Sequence, residues 1–173
     1  MTVAATSALA ELEASAATPD EKAFATISGR THVQFSLAPG YYEWASVSDL
    51  ERQLTRLAKL LFVARMKAYY VARSRDFGQT FTKESPPTSP RDEQYVRARS
   101  GLVVEGEAAG GAVRISAVGM DSWAVHLDRD LQKRLNEAAF CAAVSISLIV
   151  IFGLRIGTLA RPNTCSIETP CEQ

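Results

Sequence analysis

The chain has few of the side chains that enzymes and metal sites most often use. Its 173 residues include 2 His and 3 Cys, and they show neither a CxxC pair nor zinc-ligand spacing. It also lacks a Walker loop, a GxSxG elbow and an HExxH helix. The sequence therefore predicts no catalytic residue, no metal and no cofactor, and the expectation is a protein that is not an enzyme.

The chain also lacks net charge and a disulfide framework. Lys plus Arg and Asp plus Glu are 19 each, so the formal net charge is zero, whereas a dedicated nucleic-acid binder is usually basic. An odd number of cysteines favours free thiols, which fits a reducing cytosol. The first 20 residues have no basic region followed by a compact apolar run, so no signal peptide is predicted.

Long hydrophobic runs are nearly absent as well. The longest uncharged stretch, residues 138–154, has 17 residues and lies at the lower limit for crossing a membrane. Two interpretations stay open for 138–160. It is either a buried or oligomer-interface segment, or a membrane anchor.

The longest helical pattern present is Ser48–Arg75. Leucines recur in it at the spacing of one helix face, which predicts a buried stripe. The stripe consists of Leu50, Leu54, Leu57 and Leu61. Ser48 and Glu51 fit a capping box, in which the two side chains satisfy free amides of the first turn.

The opposite face of this helix is predicted to be basic. Between Arg52 and Arg75 there are seven basic residues and no acidic one. At about 100° per residue, five of them lie opposite the leucine stripe. This set, called the basic face below, consists of Arg52, Arg56, Lys59, Lys67 and Arg73. An ordinary solvated surface and a binding surface both remain open, because exposed helices are often charged.

Composition divides the chain into five segments. Residues 1–21 are an Ala-rich N-terminal segment that either forms a short helix or frays. Residues 22–75 contain a hairpin with its tight turn at Gly29-Arg30, followed by the basic helix, and the Pro- and Ser-rich residues 76–94 form a linker. Residues 95–145 contain three strands and a helix over Leu131–Val144, capped by Asp128 or Asp130. Its predicted buried stripe consists of Leu131, Leu135, Ala138 or Ala139, and Ala142. Residues 146–173 comprise an apolar run and a loose polar tail.

The two halves resemble each other. Val33–Ser36 parallels Val113–Ser116, and Trp44 parallels Trp123. Each half has the order strand, turn, strand, helix, which is too small to bury a stable core alone. The predicted fold class is therefore α+β, with two tandem units that pair small antiparallel sheets and pack helices on them. This makes the chain an intramolecular pseudo-dimer, and a homodimer through the remaining sheet edges is also open.

Several side chains allow more than one interpretation. Tyr41, Tyr42 and Trp44 either cover the sheet edge or form a stacking platform for bases. His32 and His126 have no ligand partner nearby in sequence and are predicted to be structural or surface residues.

The second half resembles the YbaB/EbfC family of small nucleoid-associated proteins. The similarity rests on Val104–Ser116 and on His126–Asp128 before the final helix. The first half is similar to secretion-associated proteins of mycobacterial type VII (ESX) loci, which share that fold. In the first half, the similarity rests on Gly29-Arg30, His32–Ser36, Trp44 and Ser48–Leu50. The chain departs from the YbaB-like pattern in its short N-terminal segment and in lacking a proline after Asp128.

The resemblance implies a small cytoplasmic, nucleoid-associated protein of actinobacterial type that dimerises and binds DNA with little sequence preference. The basic face, Arg52, Arg56, Lys59, Lys67 and Arg73, is then the predicted DNA-binding site, reinforced by Arg91, Arg97 and Arg99. The secretion branch implies instead an accessory or chaperone role with secretion-system proteins as partners. A third alternative is a membrane-surface protein anchored through 138–160. No small-molecule substrate is expected.

Overall fold

The computed structural model describes residues 12–29, 32–78, 80 and 86–159. These residues form six strands and five helices. The strands are β1 (Glu13–Ala17), β2 (Ala23–Ser28), β3 (His32–Leu37), β4 (Val103–Ala108), β5 (Val113–Val118) and β6 (Ser122–Leu127). The helices are α1 (Tyr41–Trp44), α2 (Val47–Phe77), α3 (Pro90–Ser100), α4 (Leu131–Arg134) and α5 (Glu137–Leu159).

The architecture is α+β, with two three-stranded antiparallel sheets of order β1-β2-β3 and β4-β5-β6. Side chains alternate between the core and solvent along the strands, as in β3, where Val33, Phe35 and Leu37 face inward. The predicted turn after β2 begins at Gly29, which has a φ of 61° that glycine adopts without strain. Arg30 lies outside the described residues.

The two units repeat with a constant offset of 90 residues. The Gly29 amide donates to the Leu12 carbonyl, and the Gly119 amide donates to the Leu102 carbonyl. The same offset relates the strands β3 and β6, the short helices α1 and α4, and the starts of α2 and α5. The predicted duplication is therefore present. Its predicted register is wrong by ten residues, however, because Val33 corresponds to Trp123 and not to Val113.

The long helices join the two units into one core. Helix α2 packs on β1 and β2 of its own sheet and on β6 of the other sheet. Helix α5 packs on β4 and β5 and on β3 of the other sheet. Between the units, Tyr42 stacks on Phe140 with ring centroids 5.0 Å apart, and its hydroxyl donates to the Leu135 carbonyl at 2.9 Å. Neither unit therefore completes its core alone.

The inner strand edges are covered by helices instead of by strands. The Phe35 amide on β3 donates to Ser145 Oγ of α5 at 3.1 Å. On β6, the Leu127 amide donates to Glu51 Oε1 of α2 at 2.8 Å. The two sheets consequently meet through the helices and do not share a ladder of hydrogen bonds.

The start of the long helix differs from the predicted one. The N-cap is Ser46, whose Oγ accepts the Asp49 amide at 3.0 Å, so the capping box of Ser48 and Glu51 is wrong. Glu51 reaches the second unit instead. The helix otherwise matches the prediction, because the leucine stripe is buried and the helix covers Val47–Phe77.

The second long helix differs more. The predicted helix Leu131–Val144 is broken after Arg134, and α5 begins at Glu137 with Asn136 Oδ1 accepting the Ala139 amide at 2.8 Å. The expected caps Asp128 and Asp130 are not used for α5. The alanines of the predicted stripe are exposed, and the buried side chains are Phe140, Ala143, Val144, Ser147, Leu148, Ile151 and Phe152.

Two elements were not expected from the sequence. Residues 13–17, inside the Ala-rich N-terminal segment, form β1 as an edge strand of the first sheet. Helix α3 begins at Pro90 inside the predicted linker, and Ser89 Oγ accepts the Asp92 amide at 3.2 Å to cap it.

The apolar segment 138–160 contributes to the core over its described part, since Phe140, Val144, Leu148, Ile151 and Phe152 are buried, while Ile146 is 51% exposed. Among the residues that the structure describes, no helix combines the length and apolar character needed to cross a bilayer. The polar tail after Leu159 lies outside the described residues.

Candidate nucleic-acid interface

The orientation of α2 is fixed by its buried side. Leu50, Leu57 and Leu61 are fully buried, and Leu54 and Ala58 nearly so. These side chains face β1, β2 and β6, so the helix cannot rotate without exposing them. The opposite side therefore faces solvent.

All five residues of the basic face are exposed along α2. Arg52 is paired with Asp49, which also accepts a hydrogen bond from the Ser46 hydroxyl at 2.7 Å. These two neighbours, Ser46 first, lower the pKa of Asp49 and keep it ionised. Arg56, Lys59 and Lys67 form no ion pair with any residue in the described part of the chain.

The spacing of the basic face suits an extended polyanion. From Arg52 to Arg73 the helix rises about 32 Å at 1.5 Å per residue. One turn of B-DNA has a comparable length of about 34 Å. No acidic residue interrupts α2 between Arg52 and Arg75. Positive charge is thus presented along a length over which a nucleic-acid backbone presents several phosphates.

Apolar side chains also lie on the outward side of α2. Leu60, Val63 and Val71 are 39%, 43% and 61% exposed. At about 100° per residue, Val63 falls within the arc of the basic face, while Leu60 and Val71 flank it beside Lys67. Sequence reasoning did not single out these residues, although the same helical projection contains them.

One basic residue of α2 points inward. Arg65 is buried, with its guanidinium 5.4 Å from the ring centroid of Phe152. Burial lowers the pKa of Arg65 to about 10. It is therefore a core residue and does not add to the basic face.

The aromatic residues before α2 divide between core and surface. Tyr41 and Tyr42 are buried, whereas Trp44 is 65% exposed and meets Tyr41 edge-on, with centroids 4.8 Å apart. Lys22 Nζ lies 5.6 Å from the centroid of Trp44. A continuous stacking platform of three rings is therefore not formed.

The remaining polar candidates lie on elements other than α2. His32 and His126 are exposed on the outer faces of the two sheets, and His126 Nδ1 lies 3.9 Å from Glu51 Oε1. Within the described ranges, no group of three His, Cys, Asp or Glu side chains is placed to hold a metal ion. Arg91 and Arg97 are exposed on α3, where Asp92 and Glu93 also lie in the first turn.

Comparison with known proteins gives no relative. No protein-family model, no curated protein and no solved structure matches the chain.

Proposed function

We propose that the chain is a non-enzymatic binding protein whose basic face docks on the phosphate backbone of DNA. The observation that carries this is the outward exposure of Arg56, Lys59 and Lys67 on one rigid helix, without ion-pair partners in the described part of the chain. Their charges are available to neutralise phosphates and release counterions. Contacts of this kind carry no base specificity, so binding depends little on sequence.

A titration with random-sequence duplex DNA at two salt concentrations tests this function. If all five residues of the basic face contact phosphates, the logarithm of the association constant falls with the logarithm of salt with a slope of about −4.5. Fluorescence anisotropy of a labelled duplex gives the association constant at each of the two salt concentrations. No binding at low salt would exclude DNA as the partner.

The exposed apolar residues favour a second candidate, an accessory protein that docks an acidic amphipathic partner such as a secretion-system component. Leu60, Val63 and Val71 next to basic side chains form the kind of surface that a helix with an apolar stripe and acidic flanks would cover. Changing these three residues to Ser separates the two candidates. DNA affinity should be unchanged if phosphates are the target, whereas binding to a protein partner should be lost.

A further inference from the structure

The duplication places a groove at the same position on the outer face of each sheet. Five residues line the first groove at positions that correspond, after adding 90, to residues lining the second. The pairs are Phe24 and Arg114, Thr26 and Ser116, Gln34 and Ala124, Phe35 and Val125, and Ser36 and His126. The duplicated fold therefore forms both grooves, and the differences between their lining residues show how the two units have diverged.

The first groove is larger because of the helix beside it. Its volume is 440 Å³, against 240 Å³ for the second. Helix α5 borders it with the small residues Cys141, Ala142 and Ser145. The equivalent positions on α2 carry Glu51, Arg52 and Thr55, and Glu51 extends to the edge of β6. Short side chains on α5 thus leave open the space beside the first sheet.

The two grooves also differ in charge. The second contains Glu105, Arg114 and His126. Among the residues that the structure describes, no carboxylate or basic side chain lines the first groove, and Phe24 is 37% exposed in it. Burial, with a smaller contribution from the charge of Glu137, raises the pKa of Cys141 to about 11, so this thiol is also neutral at physiological pH.

We propose that the first groove is a binding site for a small, uncharged, largely apolar molecule. Its volume falls in the range of about 300–1,000 Å³ that ligand pockets occupy. The described residues of its lining offer an ion no opposite charge, so a neutral molecule suits it better. Thr26, Gln34 and Ser36 offer neutral hydrogen-bonding groups that orient such a ligand. The site is separate from the basic face and does not depend on DNA binding.

Two fluorescent probes that differ in one charged group test this site. N-phenyl-1-naphthylamine is neutral, and 8-anilino-1-naphthalenesulfonate adds a sulfonate to the same ring skeleton. The full-length chain should bind the neutral probe at least about tenfold more tightly than the anionic one. Equal affinity for both, or no fluorescence increase with the neutral probe, would overturn the assignment of ligand class.

Substitutions at positions related by the duplication locate the probe. Ala142→Arg introduces the residue that α2 carries at the equivalent position, and Gln34→Arg adds a charge on the sheet side. Each should weaken binding of the neutral probe at least about tenfold. Ala124→Arg, at the position equivalent to Gln34, should leave it unchanged.

The pattern across the variants decides the outcome. Thermal unfolding of each variant controls for folding, and loss of binding in either Ala142→Arg or Gln34→Arg with native stability supports the site. Wild-type affinity in both would contradict it. Binding of an uncharged extended peptide that is sensitive to Ala142→Arg, without binding of the neutral probe, would show that the occupant is a polypeptide and would also overturn the proposal.

Discussion

At the residue scale, the last strand of each sheet has an edge amide bonded to a side chain on the long helix of the other unit, and the chemistry of the two contacts differs. Glu51 on α2 accepts the Leu127 amide at 2.8 Å, and Ser145 on α5 accepts the Phe35 amide at 3.1 Å. A carboxylate and a hydroxyl thus perform the same structural task. The sequence pattern cannot reveal either contact, because each joins residues from different units.

Replacing Glu51 with Ala should destabilise the protein by about 1–3 kcal/mol, because the partly buried Leu127 amide loses its acceptor. Glu51→Gln keeps an oxygen at that position and should cost about 1 kcal/mol or less. Urea unfolding of the two variants measures the difference. Equal stabilities for Glu51→Ala and wild type would contradict the contact.

The raised pKa of Cys141 predicts a specific pH dependence of its alkylation. In a Cys165→Ser/Cys171→Ser variant, Cys141 is the remaining thiol. Its reaction rate with iodoacetamide should rise about tenfold per pH unit until about pH 11, because the thiolate is the reactive form. A cysteine in a short unstructured peptide with blocked termini, as the reference thiol, should level off near the ordinary pKa of about 8.5. A plateau for Cys141 at the same pH as the reference would refute its burial.

The pKa shift of Cys141 also links pH to stability. Since the folded pKa is raised, the stabilisation that this residue contributes is present below the ordinary thiol pKa of about 8.5. It is lost as the pH rises from there through about 11.

At the scale of single elements, side-chain periodicity identifies the buried face of α2 but not the residue that caps its N-terminus. The leucine stripe of α2 was predicted correctly because it repeats over several turns. The cap was not predicted correctly, because Ser46 and Ser48 are each followed by an acidic residue three positions later. Only the geometry distinguishes them, and it selects Ser46.

A pair of serine variants tests that choice. Ser46→Ala should lower the free energy of unfolding by about 1 kcal/mol, because the Asp49 amide loses its acceptor and the first turn frays. Ser48→Ala, two residues further along, should change it by less than about 0.5 kcal/mol. Denaturant unfolding measures both, and a larger effect at Ser48 would restore the capping box.

Other elements escaped prediction for identifiable reasons. Strand β1 consists of Glu, Ala and Ser, which have weak strand propensity. It forms because it pairs with β2 and packs against α2. In α5 the exposed Ala138, Ala139 and Ala142 imitate a buried stripe, while Phe140 and Val144 carry the true one. For α3 the signals were present: Ser89, Pro90 and Asp92 are typical N-terminal residues.

At the scale of the whole molecule, the duplication makes the two units mutually dependent. Each long helix covers the last strand of the other sheet, and Gln132 Nε2 donates to the carbonyls of Tyr42 and Ala45. Removing one unit would expose the core of the other. A chain of two such halves therefore behaves as one folding unit.

Fragments test this dependence. The separate fragments 12–80 and 86–159 should each show little tertiary structure, because each lacks the helix that covers its third strand. Mixed in equal amounts, they should associate and regain the near-ultraviolet circular dichroism of the full chain. Cooperative unfolding of either fragment alone would show that the units fold independently.

The candidate site was predictable in part at this scale. Exposure of Arg52, Arg56, Lys59, Lys67 and Arg73 follows from their position opposite the leucines, and the structure places all five on the surface. The inward position of Arg65 follows from the same projection, which places it beside Leu54 and Leu61. The groove beside α5 was not predictable, because it depends on packing between the units. The partner of the basic face is a proposal that rests on its charge and shape.

The most direct measurement of the central claim compares two double charge reversals in a duplex-DNA anisotropy titration over a range of salt. Arg56→Glu/Lys59→Glu changes the basic face, and Arg129→Glu/Lys133→Glu makes the same charge change at exposed positions of the second unit. If the basic face binds phosphates, the first variant should bind at least about tenfold more weakly at low salt, with its salt slope smaller by about 2. The second variant should stay close to wild type. Equal losses in both variants, or no DNA binding by the wild type at low salt, would contradict the account.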